Sequence, residues 1–275
     1  MNADSTLADF FENHRKLLIL TGAGISTDSG IPAYRDADGN WLHSKPVLYQ
    51  DYIKDYKTRQ RYWARSMLGW PRMQKNTPNS GHQALQKLES SGYLQYLITQ
   101  NVDGMHQRAG SKNVIDLHGR IDTVICLSCR VSGSRRQWQA LLSERNPEWQ
   151  TKVIVASDRP DGDVIIDNAN YSDFDVPDCQ CGGIIKPEVV FFGESVPKAT
   201  VEFCQRQLLQ APALLVIGSS LTVFSGFRFV KRAAELGKPV AILTRGKTRG
   251  DDLATLKLEQ GCSQALQDVC SALNL

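Results

Sequence analysis

Short apolar runs alternate along this chain with amphipathic stretches, in the order typical of a sheet with helices packed on both faces. The apolar runs predict strands at Lys16–Leu20, Tyr93–Ile98, Asn113–Leu117, Ala213–Ile217 and Pro239–Leu243, the last of which we expect to be the final strand. The amphipathic stretches predict a short helix at Leu7–Phe11 and longer ones at Pro78–Gly92, Lys198–Gln210 and Ser225–Leu236. The pattern therefore predicts an α/β fold built on a doubly wound parallel sheet.

Two further stretches interrupt this pattern. The run IIKPEVVFFGE, which starts at Ile184, is apolar but contains Pro187. Proline has no N–H to donate to a ladder, so we place the strand itself at Val189–Phe192, where Gly193 ends it. Residues 41–71 are rich in aromatic and basic side chains without clean alternation, and we expect helices or loops that form a small lobe.

A glycine-rich segment, TGAGISTDSGIPAYRD, follows the first strand. Gly22 and Gly24 allow the backbone to approach a phosphate closely, and a helix beginning near Ile25 or Ser26 would point its free N–H groups at the same anion. The segment is not the dehydrogenase fingerprint, because Thr27 stands where that motif needs a third glycine. We predict a dinucleotide-binding turn, and a tight surface turn is the alternative.

The densest cluster of reactive side chains lies between Thr99 and Gly119. Gln100, Asn101 and Asp103 follow one predicted strand, and His118 follows the next. The carboxyl ends of parallel strands meet at one edge of a sheet, where ligands bind. An amide, a carboxylate and an imidazole together form a plausible acid/base set. The alternative is that these residues are ordinary turn formers beside a structural histidine.

Composition narrows the class of protein. The chain has 275 residues, 41% hydrophobic and 22% charged, which suits one large domain with an insert or two unequal domains. Its charge, 32 − 29 = +3, is too small to indicate nucleic-acid binding. No apolar run reaches the roughly 18 residues of a membrane span. Asp4, Asp9 and Glu12 precede any basic residue, unlike a secretory or transit signal, so we expect a cytoplasmic protein without membrane partners.

Four cysteines predict a metal site. Cys126 and Cys129 form one doublet, and Cys179 and Cys181 form a second beside two glycines. Four thiolates are typical of a closed structural zinc site. Although only Gln180 separates the second pair, an extended chain turns residues i and i+2 the same way, so both can reach one metal. Reduced thiols without a metal are the alternative, and the acidic insert between the doublets argues against a nucleic-acid-binding zinc ribbon.

The motifs together resemble one family. GAGIS, GIPAYR, QNVD, LHG, the Cys doublets, KPEVVFFGE and GSSL occur in the order characteristic of sirtuins, the NAD-dependent protein deacylases. The resemblance extends from about Leu17 to Cys270. RQRYWARS, LGWP and RPDGDV make the chain most similar to the class II branch, which includes the mitochondrial lipoamidase-type enzyme and its bacterial relatives. It implies a Rossmann-like NAD domain with a smaller inserted zinc-binding domain.

Domain bounds and cofactor contacts follow from the resemblance. It implies an NAD domain formed by 1–40, 76–120 and 187–275, a helical insert at 41–75 that lines the acyl pocket, and a zinc domain at 121–186. The implied NAD contacts are Gly22, Ala23, Gly24, Ser26, Pro32, Tyr34, Arg35, Gln100, Asn101, Asp103, Gly218, Ser219, Ser220, Thr244, Arg245 and Cys262. The chain departs from the family at Thr244, where Asn is usual, and at Ala33, where Asp is common.

The resemblance also implies a chemistry. Asn101 and Asp103 would take the nicotinamide carboxamide, and His118 would be the general base. The acyl-lysine oxygen attacks the ribose carbon that bears nicotinamide, and the imidazole then takes a proton from a ribose hydroxyl. The products are deacylated lysine, nicotinamide and O-acyl-ADP-ribose. Val190 and Phe191 would wall the acyl-lysine tunnel, on a segment that pairs with the substrate peptide.

Acyl preference rests on one pair of residues. Tyr62 and Arg65 lie three apart, so on a helix they face the same way. This pair resembles the Tyr-x-x-Arg of demalonylase and desuccinylase sirtuins and could receive an acyl chain that ends in a carboxylate. The alternative is an exposed helix face on which the Arg stem covers an aromatic ring.

We therefore predict an NAD-dependent protein-lysine deacylase with one structural zinc ion. The alternatives are mono-ADP-ribosyl transfer from the same NAD site and a non-catalytic acyl-lysine reader. A reader has no need of an imidazole beside a nicotinamide pocket. The missing third glycine also weakens a hydride-transferring dehydrogenase.

Overall fold

A computed structural model describes residues 6–36, 40, 42, 46–149, 155–166 and 170–275. Its main element is a six-stranded sheet in which every neighbouring pair is parallel. The strands, in spatial order, are β11 (Leu256–Leu258), β10 (Val240–Leu243), β9 (Leu214–Ile217), β1 (Leu17–Thr21), β2 (Leu94–Thr99) and β3 (Val114–Asp116). The chain starts in the middle, adds strands on one side and then crosses to the other. This confirms the predicted doubly wound sheet.

Helices bury both faces of this sheet. The α-helices that lie wholly within the described residues are α1 (Leu7–Asn13), α2 (Tyr49–Lys54), α3 (Tyr56–Met73), α4 (Ser80–Ser90), α5 (Met105–Arg108), α6 (Arg135–Arg145), α7 (Lys198–Gln210), α8 (Phe224–Glu235) and α9 (Cys262–Ala272). Leu17 and Ile19 of β1 pack in the core that contains α1, α4 and α9. Leu18 and Leu20 pack on the opposite face, against α7 and α8. Both faces of the strand are buried, which explains why KLLIL reads as one continuous apolar run.

The turn after β1 differs from the prediction. We expected an α-helix to begin near Ile25 or Ser26, but the chain forms two short 3-10 turns, Ala23–Ile25 and Thr27–Ser29. Gly30, with φ of 82°, ends the second. This segment packs closely against the loop after β9, since a Cβ on Gly24 would lie 2.8 Å from the Cα of Gly218.

The strand predicted at Val189–Phe192 is wrong. The structure has β8 at Ile185–Val189, with Pro187 inside it. This strand belongs to a separate antiparallel sheet of order β5 (Ser132–Ser134), β4 (Gly119–Cys126), β8. Because β8 is an edge strand, one of its sides needs no ladder hydrogen bonds, and a proline is tolerated there.

A strand does lie at Pro239–Leu243 as predicted, but the expectation that it is the final strand is wrong. Pro239–Leu243 corresponds to β10, but β11 follows it and pairs with it in parallel. With only three residues, which are half-buried, β11 has too short an apolar pattern to stand out in the sequence.

A small lobe covers one end of the large sheet. We define it as α2, α3 and the hairpin of β6 (Val155–Asp158) and β7 (Val164–Ile166). The hairpin packs closely on α3, because a Cβ on Gly69 would lie 2.5 Å from the carbonyl oxygen of Gly162. On the other side of α3, the fully buried Arg135 of α6 lies over the ring of Trp63, 5.3 Å from its centroid. Within the described ranges, no helix has the length and apolarity to cross a bilayer.

Candidate active site

A cavity of about 490 Å³ lies between the carboxyl edge of the large sheet and the small lobe. It has two sides, which we name for the elements that form them. The sheet side includes Gly22, Gly24, Gln100, Asn101, His118, Ser219, Thr244 and Arg245. The small-lobe side includes Tyr62, Asp161 and Asp163 of the small lobe, together with Ile121 of β4 and Phe191, which follows β8. Its volume lies within the range of about 300 to 1,000 Å³ usual for ligand sites.

Most of the predicted cofactor and substrate residues line this one cavity. They are Gly22, Ala23, Gly24, Tyr34, Arg35, Tyr62, Gln100, Asn101, His118, Val190, Phe191, Gly218, Ser219, Ser220, Thr244, Arg245 and Cys262. Ser26 and Asp103 lie buried beneath its floor, and Arg65 lies behind its wall. Pro32 lines a neighbouring cleft of about 30 Å³ together with Gly162.

The floor is formed by two backbone segments in close approach. A Cβ on Gly24 would lie 2.8 Å from the Cα of Gly218, and one on Gly22 would lie 2.8 Å from the Cβ of Ser219. No side chain fits between these segments, so glycine is required at both positions. The amide of Gly24 donates to the carbonyl of Gly218 at 2.8 Å, which fixes the two segments together. Exposed backbone at this edge can approach an anionic ligand closely.

Polar side chains beneath the floor form one hydrogen-bonded chain. Asn101 donates from Nδ2 to the hydroxyl of Ser26 at 3.0 Å, and that hydroxyl donates to Oδ2 of Asp103 at 2.7 Å. The amide of Met105 donates to the other oxygen of Asp103 at 2.9 Å. Burial raises the pKa of Asp103, although both donors oppose the shift. The carboxylate therefore orients Ser26 and, through it, the Asn101 amide at the cavity surface.

His118 is hydrogen-bonded through both ring nitrogens. Nδ1 lies 2.9 Å from the carbonyl oxygen of Gln100, and Nε2 lies 2.8 Å from Oγ of Ser225. A carbonyl oxygen only accepts, so Nδ1 carries the proton in the neutral ring and Nε2 is the basic atom. Burial lowers the pKa of His118, which the Gln100 carbonyl partly opposes. A neutral imidazole near pH 7 can act as a general base.

His106 has a structural role beneath the cavity floor. It lies on α5, is 1% exposed and shares a 3.0 Å hydrogen bond between Nε2 and the hydroxyl of Thr21. Its ring packs against that of His82, with 4.8 Å between the centroids. Burial lowers the pKa of His82 to about 4 and also holds the pKa of His106 well below its usual value. Both rings are therefore neutral supports beneath the floor.

Aromatic rings form the small-lobe side. The ring of Tyr62 contacts those of Tyr52, Trp63 and Phe191, with centroid distances of 5.4, 5.3 and 5.2 Å. The Tyr52 hydroxyl donates to the carbonyl of Ile185 at 2.7 Å, which links this aromatic group to β8. Tyr62 therefore presents a fixed, largely apolar surface to the cavity.

Arg65 is paired with protein groups. Its Nη2 lies 2.7 Å from Oδ2 of Asp163, and its Nε donates to the carbonyl of Val164 at 2.6 Å. A second guanidinium, that of Arg159, lies 3.7 Å from the same carboxylate oxygen. Burial, reinforced by the nearby Asp161 charge, raises the pKa of Asp163 to about 7, while both arginines oppose the shift. The carboxylates line the cavity and Arg65 lies behind them, so the fork expected for an acidic acyl chain is already occupied.

The segment after β8 connects the small-lobe side to His118. The amide of Val190 donates to the carbonyl of His118 at 2.8 Å. Glu194 accepts from the amide of Phe191 at 2.8 Å and from the buried Lys186 at 3.1 Å. The Lys186 ammonium also lies 4.8 Å from the centroid of the Phe191 ring. Val190 and Phe191 are thus held in fixed positions at the cavity wall.

Several lining residues escaped the sequence analysis. Lys247 adds a cation to Arg35 and Arg245 at the sheet side, and Gln260 and Gly261 lie beside Cys262. Asp161 and Asp163 lie inside the RPDGDV stretch, which by sequence indicates only a branch of the family. Their alternation with Gly162 in a polar turn gives no sign that they face a cavity.

The four predicted metal-ligating thiols come together. All four sulfur atoms lie within 4.8 Å of one another, with Cys126 and Cys181 3.5 Å apart and Cys129 and Cys179 3.8 Å apart. Tetrahedral zinc with Zn–S bonds of about 2.3 Å would separate its sulfurs by roughly 3.8 Å. The amide of Cys129 lowers the pKa of Cys126 to about 6, whereas the neighbouring sulfur atoms raise the pKa values of Cys129 and Cys179. The donor set therefore fits a zinc ion.

The chain belongs to the Sir2 family, whose model matches residues 22–225. A Xanthomonas axonopodis pv. citri (strain 306) protein named NAD-dependent protein deacetylase is 53% identical over 262 residues, or 95% of this chain and 89% of that one. NAD-dependent protein deacetylase 2 of Bradyrhizobium diazoefficiens is 51% identical over 265 residues, 96% of each chain. A solved structure described as Sir2 with a p53 peptide and NAD+ matches with a TM-score of 0.76 at 30% identity, covering 97% of this chain and 96% of that chain.

Proposed function

We propose that this protein is an NAD-dependent protein-lysine deacylase, which transfers the acyl group of a modified lysine to ADP-ribose and releases nicotinamide. The observation that carries the proposal is the position of His118. A neutral imidazole lines one cavity together with the glycine turn and with the segment that carries Val190 and Phe191. Similarity to proteins named NAD-dependent protein deacetylases supports the same reaction.

The sheet side suits NAD. Gly22 and Gly24 would let the backbone approach the diphosphate, and Arg35, Arg245 and Lys247 would supply positive charge around it. Ser219, Ser220 and Thr244 offer hydroxyl groups for the ribose rings. When bound, NAD supplies a ribose carbon that becomes electrophilic as nicotinamide leaves.

The residues of this chain then orient the reactants and move one proton. Asn101, held by Ser26, would hydrogen-bond the nicotinamide carboxamide from the cavity surface, and Asp103 would act from beneath by fixing Ser26. Phe191 and Tyr62 would exclude water from the acyl group. His118 would receive the proton of a ribose hydroxyl at Nε2, because Nδ1 already carries one.

We propose that the preferred acyl chains are uncharged. Arg65, the residue that could bind a terminal carboxylate, is paired with Asp163 at 2.7 Å. An acidic acyl chain would also approach the carboxyl groups of Asp161 and Asp163, which line the cavity. Burial and the Asp161 charge already raise the pKa of Asp163 to about 7, so a further carboxylate would be disfavoured there by both desolvation and neighbouring negative charge, and a succinyl or glutaryl chain should bind poorly.

We also propose that Cys126, Cys129, Cys179 and Cys181 hold one structural zinc ion and that the protein works in the cytoplasm. The close grouping of the four sulfurs supports the metal. A reducing compartment keeps such thiols available to it. Metal content of the purified protein, and the loss of thermal stability after chelation, test this part of the proposal.

The deacylase is tested by nicotinamide release from NAD with lysine peptides that carry acetyl, butyryl, lipoyl, succinyl or glutaryl groups. We expect release with the uncharged groups and formation of O-acyl-ADP-ribose. Label from NAD that stays on protein would instead indicate an ADP-ribosyltransferase. Peptide binding without any release would indicate an acyl-lysine reader and would overturn the proposal.

A further inference from the structure

The end of the cavity beyond β9 carries two basic side chains. Thr244, Arg245 and Lys247 follow β10 and line the cavity. In the sheet, β10 is three strand spacings of about 4.8 Å away from β2, so these residues lie roughly 14 Å from the Asn101 end. The glycine turn after β1 lies between the two ends. A dinucleotide with its nicotinamide at Asn101 and its diphosphate at the glycine turn therefore brings its adenosine ribose to the loop after β10.

The loop after β10 is held in a defined position. Lys257 of β11 donates to the carbonyl of Gly246 at 2.9 Å and lies 2.7 Å from Oδ1 of Asp251. The Arg245 guanidinium lies over the backbone of Gly261, since a Cβ on that glycine would be 3.1 Å from Nη2 of the arginine. The loop therefore presents Arg245 at the cavity without using its charge to hold the fold together.

The charges at this end favour an anion. Neither Arg245 nor Lys247 forms an ion pair with a carboxylate among the residues that the structure describes. Burial and the Asp28 charge raise the pKa of Cys262 to about 11, which Arg245 opposes, so Asp28 also lies near this end. The two cations outnumber the Asp28 carboxylate. In dinucleotide-binding folds a carboxylate at the adenosine ribose hydrogen-bonds the 2′-hydroxyl, whereas an arginine there accommodates a 2′-phosphate.

We propose that this end of the cavity binds the 2′-phosphate of NADP through Arg245, Lys247 and the hydroxyl of Thr244. A guanidinium can bind phosphate oxygens with two parallel hydrogen bonds, and a lysine ammonium adds a point charge. The inference rests on the proposed function for the direction in which the dinucleotide lies in the cavity. It goes beyond that function because it gives the site a second dinucleotide ligand, which competes with NAD.

Equilibrium binding to the full-length protein tests the inference, because NAD and NADP differ by one phosphate group. At low ionic strength we expect the Kd of NADP to be no more than about threefold above that of NAD. Adenosine 2′,5′-bisphosphate should displace NAD better than AMP does. Added salt should weaken the binding of NADP more than that of NAD, because salt screens the attraction between a phosphate and exposed cations.

A double variant assigns the effect to the two cations. Arg245→Met combined with Lys247→Met should weaken NADP binding about tenfold more than NAD binding, because it removes charge-assisted hydrogen bonds to the added phosphate. Lys231→Met, which removes the charge of an exposed lysine on α8, is the matched control and should leave the ratio of the two Kd values unchanged.

Three results would overturn the inference. They are an NADP Kd further above that of NAD than expected, an unchanged ratio in the double variant, and stronger displacement of NAD by adenosine 3′,5′-bisphosphate than by its 2′,5′ isomer. The last result would indicate a ligand with a 3′-phosphate, such as coenzyme A. If the wild type binds both dinucleotides but releases no nicotinamide with any acyl peptide, the proposed function alone fails. Binding of neither dinucleotide would overturn both.

Discussion

The two sides of the cavity consist of different kinds of chemical group. The sheet side is largely backbone and short side chains at strand ends, where Gly22 and Gly24 meet Gly218 with no room for a Cβ. The small-lobe side is built from large rings and a buried ion pair, that of Arg65 and Asp163. The geometry of parallel strands sets the shape of the sheet side. The shape of the small-lobe side depends instead on tertiary contacts between segments that are distant in sequence. We therefore expect the sheet side to tolerate little change and the small-lobe side to determine acyl preference.

The largest effect is expected at His118, where the two sides meet. Its replacement by Ala removes the proton acceptor, and general base catalysis typically contributes about 10²- to 10⁴-fold. We expect His118→Ala to lose about that much in kcat for nicotinamide release coupled to deacylation. Thermal unfolding should change little. His14→Ala, at the end of α1, is the matched control, and retained turnover in His118→Ala would remove the imidazole from the mechanism.

A change on the sheet side should come next in size. In Gly24→Ala the new methyl would lie 2.8 Å from the Cα of Gly218, and both partners are backbone. Overpacking of this kind costs about 1 to 3 kcal/mol. We expect a lower midpoint of thermal unfolding and a KM for NAD raised about tenfold, with the KM for peptide little changed.

Gly133→Ala is the control for that variant, because its Cβ would meet only Val124 at 3.7 Å, an ordinary contact. Equal effects of the two alanines on the KM for NAD would show that the close approach of Gly24 to Gly218 has no special role.

A change on the small-lobe side should alter selectivity rather than abolish activity. Asp163→Asn keeps the shape of the side chain but releases Arg65 from its ion pair. We expect kcat/KM for succinyl-lysine peptide to rise about tenfold, since the guanidinium becomes available to a carboxylate. Turnover of acetyl-lysine peptide should stay within about threefold of the wild type.

Two further proteins sharpen this prediction. Adding Arg65→Met to Asp163→Asn should remove the gain, which assigns it to the guanidinium. Asp175→Asn, an exposed carboxylate paired with Arg145 at 3.3 Å, should leave selectivity unchanged. If Asp163→Asn folds and shows no gain with any acidic acyl chain, the ion pair does not control acyl preference.

The smallest effect concerns pH. The reaction needs neutral His118, and burial lowers the pKa of this histidine below its ordinary value of 6.5. Protonation as pH falls through the lowered pKa removes the base, so the acid limb of kcat/KM should have its midpoint below pH 6.5. Activity should therefore be level from about pH 8 down to that limb. A midpoint above 6.5 that disappears in His118→Ala would contradict the lowered pKa.

Much of the sheet side could be predicted because its signals are local. The apolar run at Lys16–Leu20 and the glycines after it specify a strand and a turn within a few residues. Strand ends then bring Gln100 and His118 together by topology, without detailed packing. The prediction failed where contacts outside the local sequence determine the structure. Pro187 is an example, because a proline is tolerated in β8 only since this strand lies at the edge of a small sheet.

Sequence alone determined the doubly wound sheet, the grouping of the four cysteines and the residues at the strand ends, because periodicity, spacing and chain order suffice for each. Only the tertiary structure decided the partners of long side chains. Arg65 and Asp163 lie far apart in the chain, as do His118 and Ser225, and no local pattern links the members of either pair. The role of a guanidinium or an imidazole depends on the group within hydrogen-bonding distance of it. Only folding brings such a group that close.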